Sequence, residues 1–252
     1  VWSESDGLPG VVVDRYGGHL VLQTLTLAMH QRRELIVEAL VEALSPESII
    51  LRNDSPMLAA EGIEEEVTVL YGSNPGAFVV EAPTVEGGVK FEIDLLDGQK
   101  TGLYLDQLDA HREIAKLAKG KRVLDCFCNQ GGFALACAKA GAASVTAVDS
   151  SGPAIEATLR NAELNGVEIN AVKHNAFDYL KHCEDQYDIV ILDPPSFTKN
   201  KKSLNNAMRG YKEIHLRGIK LLDRDGVLAT YCCSHHASRQ MFLDNIVTAS
   251  VD

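Results

Sequence analysis

The sequence predicts an α/β protein in two parts: a small α/β unit first, then a doubly wound, mostly parallel sheet. Three observations carry this. In the second half, short apolar runs alternate strictly with helix-patterned segments. Several of those runs are apolar at successive positions, as strands buried on both faces are. In the first half the strand signals instead surround a single long helical pattern. Right-handed crossovers would wrap helices over both sides of the second sheet.

The first half, residues 1–98, opens with "VVVDRYGGHLVLQTL", two apolar runs about Gly17-Gly18 and hence a hairpin signal. "HQRRELIVEALVEAL" repeats apolar residues at helical spacing and stops at Ser45-Pro46. "SIILRND", "EVTVLYG", "AFVVEA" and "VKFEIDLL" are short strands separated by Gly, Pro and Asn.

The second half, residues 99–252, begins its alternation with the strand "KRVLDCF" and the helix "GGFALACAKAG", stopped at Gly141. "ASVTAVD" is a strand. "SGPAIEATLRNAELNG" is a helix with Pro153 near its start and Gly166 past its end. "NAVKHN" is a strand before a short helix around "FDYLKHC", and "YDIVILDPP" is an apolar strand. "NNAMRGYKEIHLRGIKLL" is a helix, "GVLATYCCS" a strand running to Cys232-Cys233, and "SRQMFLDNIVTA" a further helix.

The 252 residues are 46% hydrophobic and 23% charged, ordinary for a soluble globular protein. The net charge of −11 argues against a generic polyanion binder. A local basic patch remains open, because Lys199, Lys201, Lys202, Arg209 and Lys212 fall in a stretch with no acid. No apolar run approaches the ~20 residues of a membrane span, and the start has no signal-peptide pattern. The chain lacks an initiator Met and stops within a helical pattern, so it is expected to be part of a longer protein. Cys126, Cys128, Cys137, Cys183, Cys232 and Cys233 have spacings that match no zinc ribbon or finger. Reduced thiols in a cytoplasmic protein are the expectation.

In such a sheet, ligands bind beyond the carboxyl ends of the strands, at the switch in strand order. The first end, "LDCFCNQGGFA", lets Gly131 and Gly132 bring backbone close to a ligand. It lacks the G-x-G-x-x-G of a nicotinamide-cofactor site and looks like the S-adenosylmethionine site of class I methyltransferases. The second end carries Asp149, suited to ribose hydroxyls. The fourth, "ILDPPSF", follows Asp193 with two prolines that stiffen the loop and remove two N–H donors. Its carboxylate and carbonyls can accept from a base amine or a protonated ring nitrogen.

The fifth end carries Cys232-Cys233. Neighbours along a strand point to opposite faces, so one thiol can face the site while the other packs inward. Carbon 5 of cytosine needs help to become nucleophilic, and a thiolate added to carbon 6 supplies it. A metal site from Cys232, Cys233, His235 and His236 is sterically poor, and two inert core thiols are the plain alternative.

"SESDGLPGVVVDRYG", "DGQKTGLYLDQLDAHR", "VLDCFCNQGGFAL", "VILDPPSF", "RGYKEI" and "YCCSHH" resemble the large-subunit ribosomal RNA methyltransferase I family, single-cysteine cytosine-5 RNA methyltransferases. The resemblance covers nearly the whole chain. It implies an N-terminal PUA RNA-binding domain, absent here, a middle α/β domain over residues 1–98, and a Rossmann-like class I methyltransferase domain over 99–252, truncated at its C-terminus. It implies S-adenosyl-L-methionine as cofactor, large-subunit rRNA as partner, and a possible homodimer. Cys233, which precedes Ser234, matches the family's motif cysteine, and Asp193 the base-contacting acid. The cofactor set it implies is Gln99, Lys100, Thr101, Asp125, Phe127, Asn129, Gly131, Asp149, Ser150, Asn175, Ala176 and Asp193. Asn175 stands where the family has an acid near the adenine, and its amide could still accept from the adenine amine.

The reading is therefore an rRNA (cytosine-5) methyltransferase. Two rivals stay open: a methyltransferase acting on guanine or an exocyclic amine through "DPPSF", and a non-catalytic RNA-binding assembly protein that keeps the cofactor fold.

Overall fold

The computed structural model describes residues 1–96, 102–198, 203–234 and 236–251. Two compact units emerge, Val1–Val80 with Glu92–Leu105, and Glu81–Phe91 with Asp106–Asp252. The division expected at residues 98 and 99 lies outside the described residues.

The first unit is a four-stranded sheet in the order β1-β2-β3-β4. The expected hairpin forms as β1 (Val11–Tyr16) and β2 (His19–Thr24), paired antiparallel with Asp14 opposite Val21. The chain continues through α1 (Leu27–His30) and α2 (Arg33–Leu44), and returns as β3 (Ser48–Asn53), parallel to β2. β4 (Glu66–Gly72) closes the sheet antiparallel to β3. Every residue of β3 is buried, because it is a central strand with α2 on one face. There Val11, Leu20, Leu22, Ile49 and Leu51 pack with Ile36, Val37 and Leu40 of α2. Gly72 ends β4 at φ 72°, and a Cβ there would stand 2.0 Å from the Glu47 carbonyl oxygen, so only glycine fits. β5 (Ala77–Ala82) and β6 (Val89–Asp94) form a separate two-stranded sheet. The division between the units runs through these two strands.

The second unit is the predicted parallel sheet. After α3 (Leu108–Ala115) it runs β7 (Arg122–Cys126), α4 (Gly132–Lys139), β8 (Ser144–Asp149), α5 (Gly152–Asn165), β9 (Asn170–Lys173) and α6 (Ala176–His182). It continues with β10 (Tyr187–Leu192), α7 (Leu204–Lys220), β11 (Leu222–Thr230) and α8 (Arg239–Val251). The strand order is β11-β10-β7-β8-β9, all parallel.

Alternate residues of the central strands serve two cores. Val123, Ile189 and Ile191 join Ile114, Phe133 and Ile155 of α3, α4 and α5. Leu124, Val190 and Leu192 join Leu180, Tyr211 and Ile214 of α6 and α7. Helices thus cover both faces, as a doubly wound sheet requires. From β7 the chain builds outward to β9, then crosses to β10 on the other side, so the switch lies between β7 and β10.

The last strand differs from expectation. β11 stops at Thr230, not at Cys232-Cys233. Its partner β10 ends at Leu192, where Tyr231 N–H still bonds the Leu192 carbonyl at 2.9 Å; Pro194 and Pro195 then follow, with no N–H to extend a ladder. At its other end β11 advances from Leu222 to Val227 while β10 advances only from Tyr187 to Ile189. Residues 223–226, Asp-Arg-Asp-Gly, bulge out of register. Among the described residues no helix is long and apolar enough to cross a membrane.

Candidate active site

The carboxyl ends of β7, β8 and β10 meet at the switch, and each brings an acid. Asp125, the next-to-last residue of β7, is 1% exposed. Its Oδ2 accepts the Ala134 N–H at 3.0 Å, in the first turn of α4, while its Oδ1 is buried with no hydrogen-bond partner. Burial pushes this carboxyl well above the usual range; the Ala134 N–H opposes that, and the negative Asp193 and Asp149 add to it.

Between Asp125 and α4 the chain makes an unusual turn. Phe127, Asn129 and Gly131 have φ of 66°, 50° and 87°. For Phe and Asn this left-handed conformation costs energy, so the surroundings must hold it. They do so through backbone groups. Phe127 and Cys128 N–H both bond the Val148 carbonyl of β8, at 2.8 and 3.1 Å. Thr158 Oγ1 donates to the Asn129 carbonyl at 2.9 Å and Asn161 Nδ2 to the Gln130 carbonyl at 3.2 Å. Both side chains come from α5 and are at most 1% exposed. At Gly131 a Cβ would meet Thr158 at 3.0 Å.

Asp149, half-buried at the end of β8, accepts from Asn129 N–H and Ser151 N–H, both at 2.9 Å. Each carboxylate oxygen thus has a lone pair left over. Ser150 beside it is exposed. Asn175 caps α6: its Oδ1 accepts from Phe177 N–H at 2.9 Å and Asp178 N–H at 3.3 Å. The residue is otherwise exposed, and its Nδ2 can donate. Ala176, next along, is 4% exposed.

Asp193 follows β10 and is half-buried. Gln107 Nε2, at the start of α3, donates to its Oδ2 at 3.1 Å. Its own N–H reaches the Cys126 carbonyl of β7 at 3.4 Å. Beyond the prolines, Phe197 stands 6.5 Å from Phe127 and 5.6 Å from Phe177, so three rings from the β7 turn, α6 and this loop meet.

The two cysteines part company past Thr230. Cys232 is partly buried and packs with the α6–α7 core. Cys233 is exposed, and its thiol points to the Pro194 carbonyl at 3.7 Å, one residue from Asp193. Gln99, Lys100, Thr101, Lys199, Lys201, Lys202 and His235 lie outside the described residues.

Four residues at the site had been given no role from sequence. Thr158 and Asn161 are polar at i and i+3 on an otherwise apolar helix face, a signal that was there to be used. Gln107 lay inside a quoted motif. His111, on α3, is 7% exposed, with Nδ1 unpartnered. Its ring lies 4.4 Å from that of Phe133 and would collide with any Cβ on Gly132. Burial pushes its pKa down to about 4.

A family model for S-adenosylmethionine-dependent methyltransferases matches residues 75–249. The chain is 42% identical over 257 residues to the ribosomal RNA large subunit methyltransferase I of Aeromonas hydrophila, covering 99% of this chain and 64% of that protein. It is 41% identical over 258 residues to the protein of the same name from Vibrio parahaemolyticus, with the same coverage. It therefore spans 64% of the length of these curated relatives. Among solved structures, SMU.776 complexed with SAH superposes with a TM-score of 0.82 at 26% identity, over 99% of this chain and 64% of that one.

Proposed function

The chain belongs to the S-adenosylmethionine-dependent methyltransferases, and from that premise we propose that it methylates carbon 5 of a cytosine in large-subunit rRNA through a covalent bond to Cys233. Bound S-adenosylmethionine supplies an electrophilic methyl group on a sulfonium. The donor set suits it. Asp149 and Asp193 lie close enough to the buried Asp125 to raise its carboxyl further, and this acidic end of the sheet favours a ligand with positive charge; this cofactor carries a sulfonium and an ammonium. Asp149 keeps acceptor capacity for two ribose hydroxyls.

One observation carries the cytosine reading: the Cys233 thiol is exposed and lies 3.7 Å from the Pro194 carbonyl, beside Asp193. In this reading Cys233 adds to carbon 6, which makes carbon 5 nucleophilic. Asp193 accepts from the cytosine amine and fixes the ring. After transfer carbon 5 loses its proton to water, and Cys233 leaves as a thiolate. The names of the curated relatives support rRNA as substrate. The cations at Lys199, Lys201 and Lys202 would contact its phosphates. A cytoplasmic location fits the six reduced thiols, and a homodimer belongs to the same reading.

The test is a covalent adduct between the full-length protein and RNA carrying 5-fluorocytidine, which blocks the final proton loss. A denaturation-resistant complex in the wild type and none in Cys233→Ala is the expected result. Methyl transfer with no adduct, retained in Cys233→Ala, would turn the assignment to nitrogen methylation through Asp193.

A further inference from the structure

We propose that Tyr211 is a positioning residue for Cys233, its buried hydroxyl holding Ser234, the residue that follows the thiol. The inference rests on the reading of Cys233 as the reacting thiol.

Ser196 Oγ donates to the Thr198 carbonyl at 2.9 Å. A hydroxyl has a single hydrogen, so Ser196 must accept in its 3.0 Å contact with Ser234 Oγ. The Ser234 hydrogen is then engaged, and Ser234 must accept from the Tyr211 hydroxyl, also at 3.0 Å. The chain of donors therefore runs one way, from Tyr211 through Ser234 and Ser196 to the Thr198 carbonyl. Cys233 directly precedes Ser234, the residue that the phenol bonds.

The far end of the chain is the segment that follows Asp193-Pro194-Pro195. The network thus ties the cysteine segment to the loop bearing the acid, and Cys233 bonds that same loop at Pro194. Tyr211 itself cannot drift. It is 0% exposed, with its ring 4.7 Å from Phe197 and 5.3 Å from Phe242. Past the end of β11 no sheet ladder fixes the backbone, so hydrogen bonds from side chains must. Tyr211 does not touch the base; it sets where the thiol stands relative to Asp193.

The experiment compares Tyr211→Phe, Ser234→Ala and Ser234→Thr with the wild type and with Cys233→Ala in the full-length protein. It reads S-adenosylmethionine affinity, thermal midpoint, kcat and KM for RNA, and the rate at which iodoacetamide alkylates Cys233 across pH. Tyr211→Phe and Ser234→Ala should keep cofactor affinity and KM, lose roughly ten- to a hundredfold in kcat, and shift the alkylation profile. Ser234→Thr, which keeps the hydroxyl, should recover most of kcat. An unchanged kcat and alkylation profile in Tyr211→Phe, beside an inactive Cys233→Ala, would overturn the positioning role alone. Full activity in Cys233→Ala would overturn the thiol reading and the positioning role with it.

Discussion

The two sides of the crevice are held in different ways. On the β7–β8 side the turn at residues 127–131 is pinned by backbone-to-backbone bonds, by Asp149, and by two buried side chains of α5. On the β10–β11 side the sheet has run out, and the Cys233 segment hangs on a file of hydroxyls. Each hydroxyl can rotate to another partner, whereas a backbone amide in a strained turn cannot. The difference suits the chemistry proposed for each side. One holds a cofactor of constant shape; the other must let a thiol approach a base, bond it and withdraw.

Cys233→Ala separates the two sides most sharply. Methyl transfer should fall by about a thousandfold or more, with S-adenosylmethionine affinity unchanged, because the thiolate acts only once the base is in place. Cys232→Ala should retain most activity. Isothermal titration and methyl incorporation measured on the same samples check both; loss of cofactor binding in Cys233→Ala would mean the sides are not separable.

The next effect lies on the cofactor side. The folded protein holds His111 neutral, with its pKa pushed down to about 4 by burial, whereas an unfolded histidine takes its proton near ~6.5. Between those values the unfolded chain binds more protons. Stability from this group is fully present above about pH 6.5 and is lost as pH falls toward about 4, on the order of 3 kcal/mol in all. Asp125 acts in the opposite direction, since its raised carboxyl favours the folded state in acid. Denaturant unfolding from pH 4 to 7 should therefore show a flatter rise for His111→Leu than for the wild type. Parallel curves would relieve His111 of that role.

Asp149→Ala should weaken S-adenosylmethionine by roughly tenfold or more, the loss of charge-assisted bonds to two ribose hydroxyls. RNA affinity, measured without cofactor, should not move. Equal cofactor affinity in mutant and wild type would take Asp149 out of the site.

Thr158→Val is the smallest change. It leaves the part-buried Asn129 carbonyl with only the weak Cys128 thiol donor at 3.7 Å and should cost about 1–2 kcal/mol, seen as a lower denaturant midpoint with an unchanged slope. Cys233 alkylation should be untouched, since nothing on that side depends on α5. A change there would show the turn and the thiol to be coupled.

The sheet was legible because β7 and β10 are apolar at successive positions, a pattern only a doubly covered strand produces. The acids at its ends were legible for the converse reason: a carboxylate after such a run must be there for something. What failed to read were polar residues whose partners are backbone groups far along the chain. Thr158 and Asn161 show in the sequence only as two polar residues three apart on an otherwise apolar face of α5, and their partners, the Asn129 and Gln130 carbonyls, are brought to them by the fold. Asn175 carried a cap signature, an Asn just before a helix, that was not read, and the cap forms. The end of β11 was misplaced because Ala229 to Cys232 continues the apolar run, while the two prolines that end its partner stand some forty residues earlier.

The charged bulge of β11 bears on how the molecule keeps to itself. An outermost strand offers a row of free amide and carbonyl groups, a template on which another chain can add. Among the described residues, the sheet's two outer strands are both poor templates. β9 has four residues and ends in Lys173. β11 is longer, but Asp223, Arg224 and Asp225 swing out of register, and Asp225 at φ 62° breaks the extended path just ahead of Gly226. A strand arriving from a second molecule would have to bury those charges and match a stagger that no regular partner has. Within this sheet, the same residues that look like a flaw in the ladder make β11 a poor strand for a second copy to pair with.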